Sequence, residues 1–257
     1  VTGSWLMSWH PAPTGRPTLL CVPPAGAGCA QFRAWQQEAG DDIAVLGVQL
    51  PGRENRWLDP SPASVGDAVD AVLAELADRV APGQPLVIFG HSFGALLGYE
   101  IAKALLAYGR TPPKALVVSA VRPPEHWVAQ SPGRRLADDG LADLNLLLDA
   151  RGLSADDLDE DSRELMLEVL RRDAELSASY HPRWGTGIVC PLEAWGGTDD
   201  ATVRADHVAG WADYADGGFQ QRMFPGGHYF CLEDPRTALQ LLGPMTVQVP
   251  AMEGKTR

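Results

Sequence analysis

Residues 86–107 join two hydrophobic periods through one corner. Leu86-Val87-Ile88-Phe89 is a short unbroken apolar run, as in a strand buried on both faces, and Leu96, Leu97, Ile101, Ala102 and Leu105 then recur at helical spacing. Between them stands Gly90-His91-Ser92-Phe93-Gly94, a G-x-S-x-G pentapeptide. A strand that passes straight into a helix needs a sharp turn. Glycines two before and two after the serine let neighbouring backbone come close, while the serine takes a strained conformation. Its hydroxyl then stands at the mouth of the sheet, near the positive end of the helix.

The rest of the chain supplies elements to match. Strands are expected over 17–23, 43–51, 114–120, 190–197 and 219–227, and a helix with an acidic start over 65–81. Strands alternating with helices predict an α/β fold with a mostly parallel sheet covered on both faces. The alternation stops over 121–184. There, 138–152 and 159–180 read as amphipathic helices, the second with Leu165, Val169 or Leu170, and Leu176 along one side. The expected organisation is a core of 1–120 and 185–250, a helical lid insertion over 121–184, and a disordered tail over 251–257.

A serine is a weak nucleophile at neutral pH and needs a base, with an acid to hold that base. On a parallel sheet the partners come from turns after later strands, in the order Ser, acid, His. Asp199 and Asp200 follow the strand that ends in Gly196-Gly197, and both qualify as the acid, Asp200 being preferred. His228 follows the Gly226-Gly227 turn and is the expected base. His10, His126 and His181 lie in the wrong segments, His207 opens a helix facing solvent, and His91 adjoins the serine on a turn that directs it elsewhere. Oxyanion donors are expected from the backbone N–H of Phe93 and from the loop after the first core strand, where Ala25 is preferred to Gly26. A dinucleotide-binding reading of that glycine-rich loop fails, because the third small residue is absent and no acid ends the next strand.

Composition narrows the partners. A net charge of -12 argues against nucleic acid. No apolar run has a membrane-spanning length, and the start lacks the basic and apolar regions of a secretory signal, so a cytoplasmic protein is expected. The four cysteines, Cys21, Cys29, Cys190 and Cys231, show no metal-ligand spacing and are expected to be free thiols; neither a metal nor a cofactor is expected. Arg53 and Arg56 have two readings, phosphate binding or a loop-holding pair with Glu54 or another acid, the second being favoured.

The segments CVPPAGAGCAQFRAW, VQLPGRENRW, GHSFGALLGYEIA, WGGTDDATV and FPGGHYF occur in this order over about residues 5–242. In this the chain resembles the type II thioesterases, stand-alone α/β-hydrolases that accompany polyketide synthases and nonribosomal peptide synthetases. Pro24 and Ala27 depart from the usual pattern, in which an aromatic or histidine and a glycine are common. The resemblance implies Ser92 as nucleophile, Asp200 as acid, His228 as base, Ala25 and Phe93 as oxyanion donors, and a lid over the acyl pocket. It further implies hydrolysis of acyl groups from the phosphopantetheine arm of acyl or peptidyl carrier proteins, clearing stalled units from a synthase. Arg134, Arg135, Arg171 and Arg172 are candidate carrier contacts, although solvated helix faces explain them more simply. Rival readings of the same residues are a carboxylesterase, an acyltransferase and a non-catalytic synthase-binding protein.

Overall fold

The computed structural model describes residues 3–10, 15–128, 145, 148 and 157–246. Seven strands form one sheet: β1 Leu6–Ser8, β2 Thr18–Val22, β3 Ala44–Val48, β4 Leu86–His91, β5 Ala115–Ser119, β6 Leu192–Gly197 and β7 Phe219–Phe224, in the order β1-β3-β2-β4-β5-β6-β7. Only β1 runs antiparallel, pairing Leu6 with Val48; every other pair is parallel, with Ile88 flanked by Leu20 and Leu116 at the centre. Among the described residues, no helix is long and apolar enough to cross a membrane.

The central strands are apolar throughout because both their faces are covered. Leu20, Val22 and Ile88 pack on one face with α2 (Val65–Arg79) and α3 (Phe93–Ala107). Leu19, Cys21, Val87 and Phe89 pack on the other against α1 (Arg33–Ala39) and α7 (Pro235–Thr246), the short α6 (Ala205–Ala209) lying between β6 and β7 in the chain. The period-two alternation thus divides two cores rather than core from solvent. On the second face Trp35 lies 4.9 Å from the Phe89 ring, and Trp195 lies 6.0 Å from it. Each expected strand and the helix over 65–81 are present; β1, α1 and α7 were not anticipated.

Within 121–184 the chain forms the short helix α4 (Glu125–Val128) and the long helix α5 (Glu160–Ala178), which starts with Asp159 accepting from the Ser162 amide at 2.8 Å. Of the helix expected over 138–152, Asn145 and Leu148 alone are described, both helical. The tail over 251–257 and Arg134 and Arg135 lie outside the described residues. The apolar side of α5 needs one correction. Val169, Leu170 and Leu176 are buried with Asp173, but Leu165 is exposed. A buried acid takes its place in the inward stripe.

Two glycines are dictated by the corner. A Cβ at Gly94 would overlap the carbonyl oxygens of Val22 and Pro23, and one at Gly90 would overlap backbone at Gly94 and Ala95. Backbone cannot move aside as a side chain can. Gly94→Ala is therefore expected to cost about 1–3 kcal/mol or more of stability, read as a lowered urea midpoint with unchanged slope. Gly98, whose nearest neighbour would be the Ile88 side chain at 3.2 Å, should tolerate alanine far better.

Candidate active site

Ser92 sits between β4 and α3 with φ 53 and ψ -125. A non-glycine residue there carries strain of order 1–3 kcal/mol, sustained only because the surroundings fix it. Its N–H donates to the Ser119 carbonyl at 2.8 Å, tying the corner to the neighbouring strand, and its carbonyl accepts from Ala95 at 2.9 Å. The side chain is half-buried at the carboxyl-end rim of the sheet.

The candidate acid and base come from the turns after β6 and after β7. His228 Nδ1 lies 2.7 Å from Asp200 Oδ2, with the Asp200 side chain fully enclosed and His228 nearly so. The other Asp200 oxygen accepts from the Thr202 amide and hydroxyl, both at 2.8 Å, and from the Val203 amide at 3.1 Å. Burial alone would raise this carboxyl. The hydrogen bond and charge of His228, with the Thr202 donors, outweigh it and bring the pKa down from 3.8 to about 2. The carboxylate thus stays ionised down to strongly acidic pH.

The depressed value also fixes a stability trend. A carboxyl lowered on folding stabilises above its unfolded pKa, and the benefit is lost as pH falls through the folded one. A shift from 3.8 to about 2 corresponds to roughly 2 kcal/mol. The stability difference between wild type and Asp200→Asn should be full at pH 6, shrink below about pH 4 and close near pH 2 in urea titrations.

Asp199, the alternative acid, is exposed, and its backbone N–H donates to Gly226 at 2.9 Å. The turn thus directs one of two adjacent carboxylates inward and leaves the other in water. The His228 ring centroid lies 5.3 Å from that of His91, the residue before Ser92, which brings the candidate base and the serine to one stretch of rim. Among the described residues, no hydrogen bond joins the Ser92 hydroxyl to His228. Such bonds commonly tighten only when substrate is bound.

Beneath this rim lies a direct serine–histidine contact. His91 Nδ1 is 3.1 Å from Ser119 Oγ and 3.4 Å from Cys231 Sγ, and the two latter atoms are 3.2 Å apart. His91 and Ser119 have no exposed surface, so an acyl group has no route to that hydroxyl. Burial, and then the charge of His228, hold His91 well below the usual imidazole range. It is therefore neutral at neutral pH. Burial likewise pushes the Cys231 thiol up to about 12.

The loop after β2 passes directly beside the start of α3, as the Val22 and Pro23 carbonyls against Gly94 require. Phe93 is the first residue of α3, where an N–H has no intrahelical acceptor. Among the described residues, neither the Phe93 N–H nor the Ala25 N–H is hydrogen-bonded. The Gly26 N–H, the alternative donor, is already given to Asp173 Oδ2 at 2.7 Å. Helix α5 lies over this rim. Ala25 and Met166 both pack against the cluster of Leu148 and Leu170, and Met166 also packs against that of Ala27 and Tyr229, the neighbour of His228. On the other side Trp127 of α4 lies 6.3 Å from the Phe93 ring.

Arg53 does pair with an acid. The partner is buried Asp173 rather than Glu54, and Arg56 pairs with Asp59 at 2.7 Å. Arg171 and Arg172 both pair with Glu168 on their own helix face. Sequence reasoning missed Thr202 and Asp173. Thr202 carried a signal, since Asp followed two residues later by Thr is the pattern of a side-chain-closed turn.

Known proteins are similar to this chain in sequence and in fold. The family model of the thioesterase domain matches residues 17–242. The thioesterase PikA5 of Streptomyces venezuelae is 31% identical over 233 residues, spanning 89% of this chain and 80% of that one. The gramicidin S biosynthesis protein GrsT of Aneurinibacillus migulanus is 26% identical over 242 residues, spanning 93% and 92%. Among solved structures, RedJ, a thioesterase from the prodiginine biosynthetic pathway of Streptomyces coelicolor, superposes with a TM-score of 0.77 at 30% identity, covering 93% of this chain and 95% of that one. The sheet and its flanking helices are accordingly those of the α/β-hydrolase fold. A family match over most of the chain, with a relative of this identity and coverage, means that the protein belongs to the thioesterase domain family.

Proposed function

We propose that the protein is a type II thioesterase that uses Ser92, His228 and Asp200 to hydrolyse acyl groups from the phosphopantetheine arm of carrier proteins. The observation that carries this reading is the enclosed 2.7 Å Asp200–His228 contact beside a serine held at φ 53. His228 accepts the Ser92 proton through Nε2 as the oxygen attacks the thioester carbonyl. Asp200 accepts the Nδ1 hydrogen bond, which fixes the tautomer and balances the imidazolium. The Ala25 and Phe93 amides receive the charge that develops on the carbonyl oxygen. Collapse transfers the proton to the departing thiolate and leaves an acyl-enzyme, and water activated by the same imidazole releases the acid. Helix α5 and Trp127 border the acyl pocket, so the segment over 121–184 acts as its lid. RedJ and GrsT, named for prodiginine and gramicidin S biosynthesis, support a biosynthetic role; beside a polyketide or peptide synthase, such hydrolysis removes stalled or aberrant acyl units from acyl or peptidyl carrier domains. The chemistry calls for no metal or cofactor beyond the arm that carries the substrate.

The test is a panel of carrier-bound acyl groups of varied length, assayed beside matched oxygen esters. Release of free acid from the thioesters, with slower turnover of oxygen esters, is expected. Oxygen esters cleaved at least as fast would support a carboxylesterase, and acyl groups recovered on an added alcohol or amine would support an acyltransferase. A folded protein that a fluorophosphonate leaves unlabelled would support the non-catalytic reading.

A further inference from the structure

Several ties hold the loop that carries Ala25, and each leaves the Ala25 N–H untouched. The Gly26 N–H donates to Asp173 Oδ2 at 2.7 Å. The Ala27 carbonyl accepts from Arg53 Nη1 at 3.2 Å. The Cys29 N–H donates to Gln49 Oε1 at 2.9 Å, and Gln49 Nε2 in turn donates to the Arg53 carbonyl at 3.2 Å. Arg53 grips both oxygens of Asp173, with Nη1 at 2.6 Å from Oδ2 and Nη2 on Oδ1, and also donates to the Pro51 carbonyl at 3.3 Å. Arg53 is 5% exposed and Asp173 2%. The pair spans three segments: the loop after β2, the loop after β3, and α5.

A buried pair costs desolvation and is weak evidence for stability alone. Here its placement has a chemical consequence. A carboxylate bonded to the amide next to Ala25 stands close to where negative charge develops in the transition state. Unbalanced, it would oppose that charge in a dry site. The bidentate guanidinium cancels it and fixes its direction. The carboxylate meanwhile occupies Gly26 N–H and so selects the Ala25 N–H as the free donor.

We propose that Arg53 and Asp173 are positioning residues of the oxyanion loop, which make its donor geometry depend on the seating of α5. This rests on the thioesterase reading above. The experiment measures hydrolysis of a short acyl N-acetylcysteamine thioester, and binding of an alkylboronic acid that forms a tetrahedral adduct on serine, by full-length wild type, Arg53→Gln and Asp173→Asn. Arg53→Gln leaves a buried carboxylate unbalanced, so kcat should fall on the order of 10²-fold. Asp173→Asn keeps an acceptor for Gly26 and removes the charge, so the loss should be about 10-fold or less. In both, KM should stay within about three-fold, and boronate affinity should fall in step with kcat.

A structural pair without influence on the oxyanion would give equal losses on both sides, or lowered Tm with kcat kept, and either result overturns the proposal. Should Arg53→Gln fail to fold, Arg53→Lys keeps the charge without the fork and is expected to lose kcat to an intermediate degree; unchanged kcat overturns the proposal. Wild type gives a test without any variant. In amide NMR spectra the boronate adduct should shift the Ala25 and Phe93 signals and leave Gly26 in place; a shift of Gly26 without Ala25 overturns the assignment. An inert wild type would remove the hydrolase reading and this proposal with it, whereas an active wild type with indifferent variants would remove this proposal alone.

Discussion

Ser92→Ala is expected to lower kcat on acyl thioesters on the order of 10⁴-fold or more, while the thermal transition stays close to that of wild type. The large kinetic effect follows from the removed atom, the one that bonds to the acyl carbon in the proposed mechanism. The small structural effect follows from what remains. The Ser92 N–H to Ser119 bond and the Ala95 to Ser92 bond are made by backbone, so the corner keeps its ties. The residual rate should come from bound substrate facing the Ala25 and Phe93 amides. Titration with a fluorophosphonate should label wild type at one equivalent and leave the variant unmodified. A variant that retained more than about a tenth of the wild-type kcat would remove Ser92 from the mechanism.

Asp200→Asn should be the next most damaging change, on the order of 10²–10⁴-fold in kcat, and Asp199→Asn should be nearly silent. The contrast tests the geometry because the two residues are chain neighbours of identical chemistry. Asparagine at 200 can still accept from Thr202 and Val203, so the turn should persist. It can also present an amide N–H to His228 Nδ1, which favours the wrong tautomer and supplies no charge for the imidazolium. At 199 the side chain is exposed and the structural bond is made by the main chain. Equal losses at the two positions, or a larger one at 199, would reassign the acid.

These expectations show which parts of the molecule can be read from sequence. The central strands were legible because a sheet covered on both faces demands unbroken apolar runs, as at 86–89. The place of Ser92 at the strand-to-helix corner was legible because Gly90 and Gly94 leave no room for a Cβ, and the turn before His228 because Gly226 takes a positive φ. The choice between Asp199 and Asp200 was not settled by residue chemistry, since which carboxylate turns inward is decided by the dihedral angles of the turn. Strand β1, three residues long and antiparallel, offers too short a pattern to register. Helix α7 did carry a starting signal: Asp234 accepts from the Thr237 amide at 3.1 Å, and Pro235 opens the helix. Asp173 was illegible for a different reason. It lies in a helix rich in charged residues, where an acid reads as a solvated one, and its partner is 120 residues away.

The two halves of the proposed machinery are anchored unequally. The nucleophile's conformation is set where the sheet is thickest, by β4, β5 and the start of α3, none of which belongs to the turn that carries His228. The imidazole instead hangs from a short connection beyond β7, the outermost strand on that side. The ring does not hang loose there, because its 2.7 Å contact with the enclosed Asp200 carries it back to the turn after β6. The angle of attack and the delivery of the proton thus depend on separate parts of the fold, so a substitution in the outer turn should alter proton delivery before it disturbs the serine's line of approach.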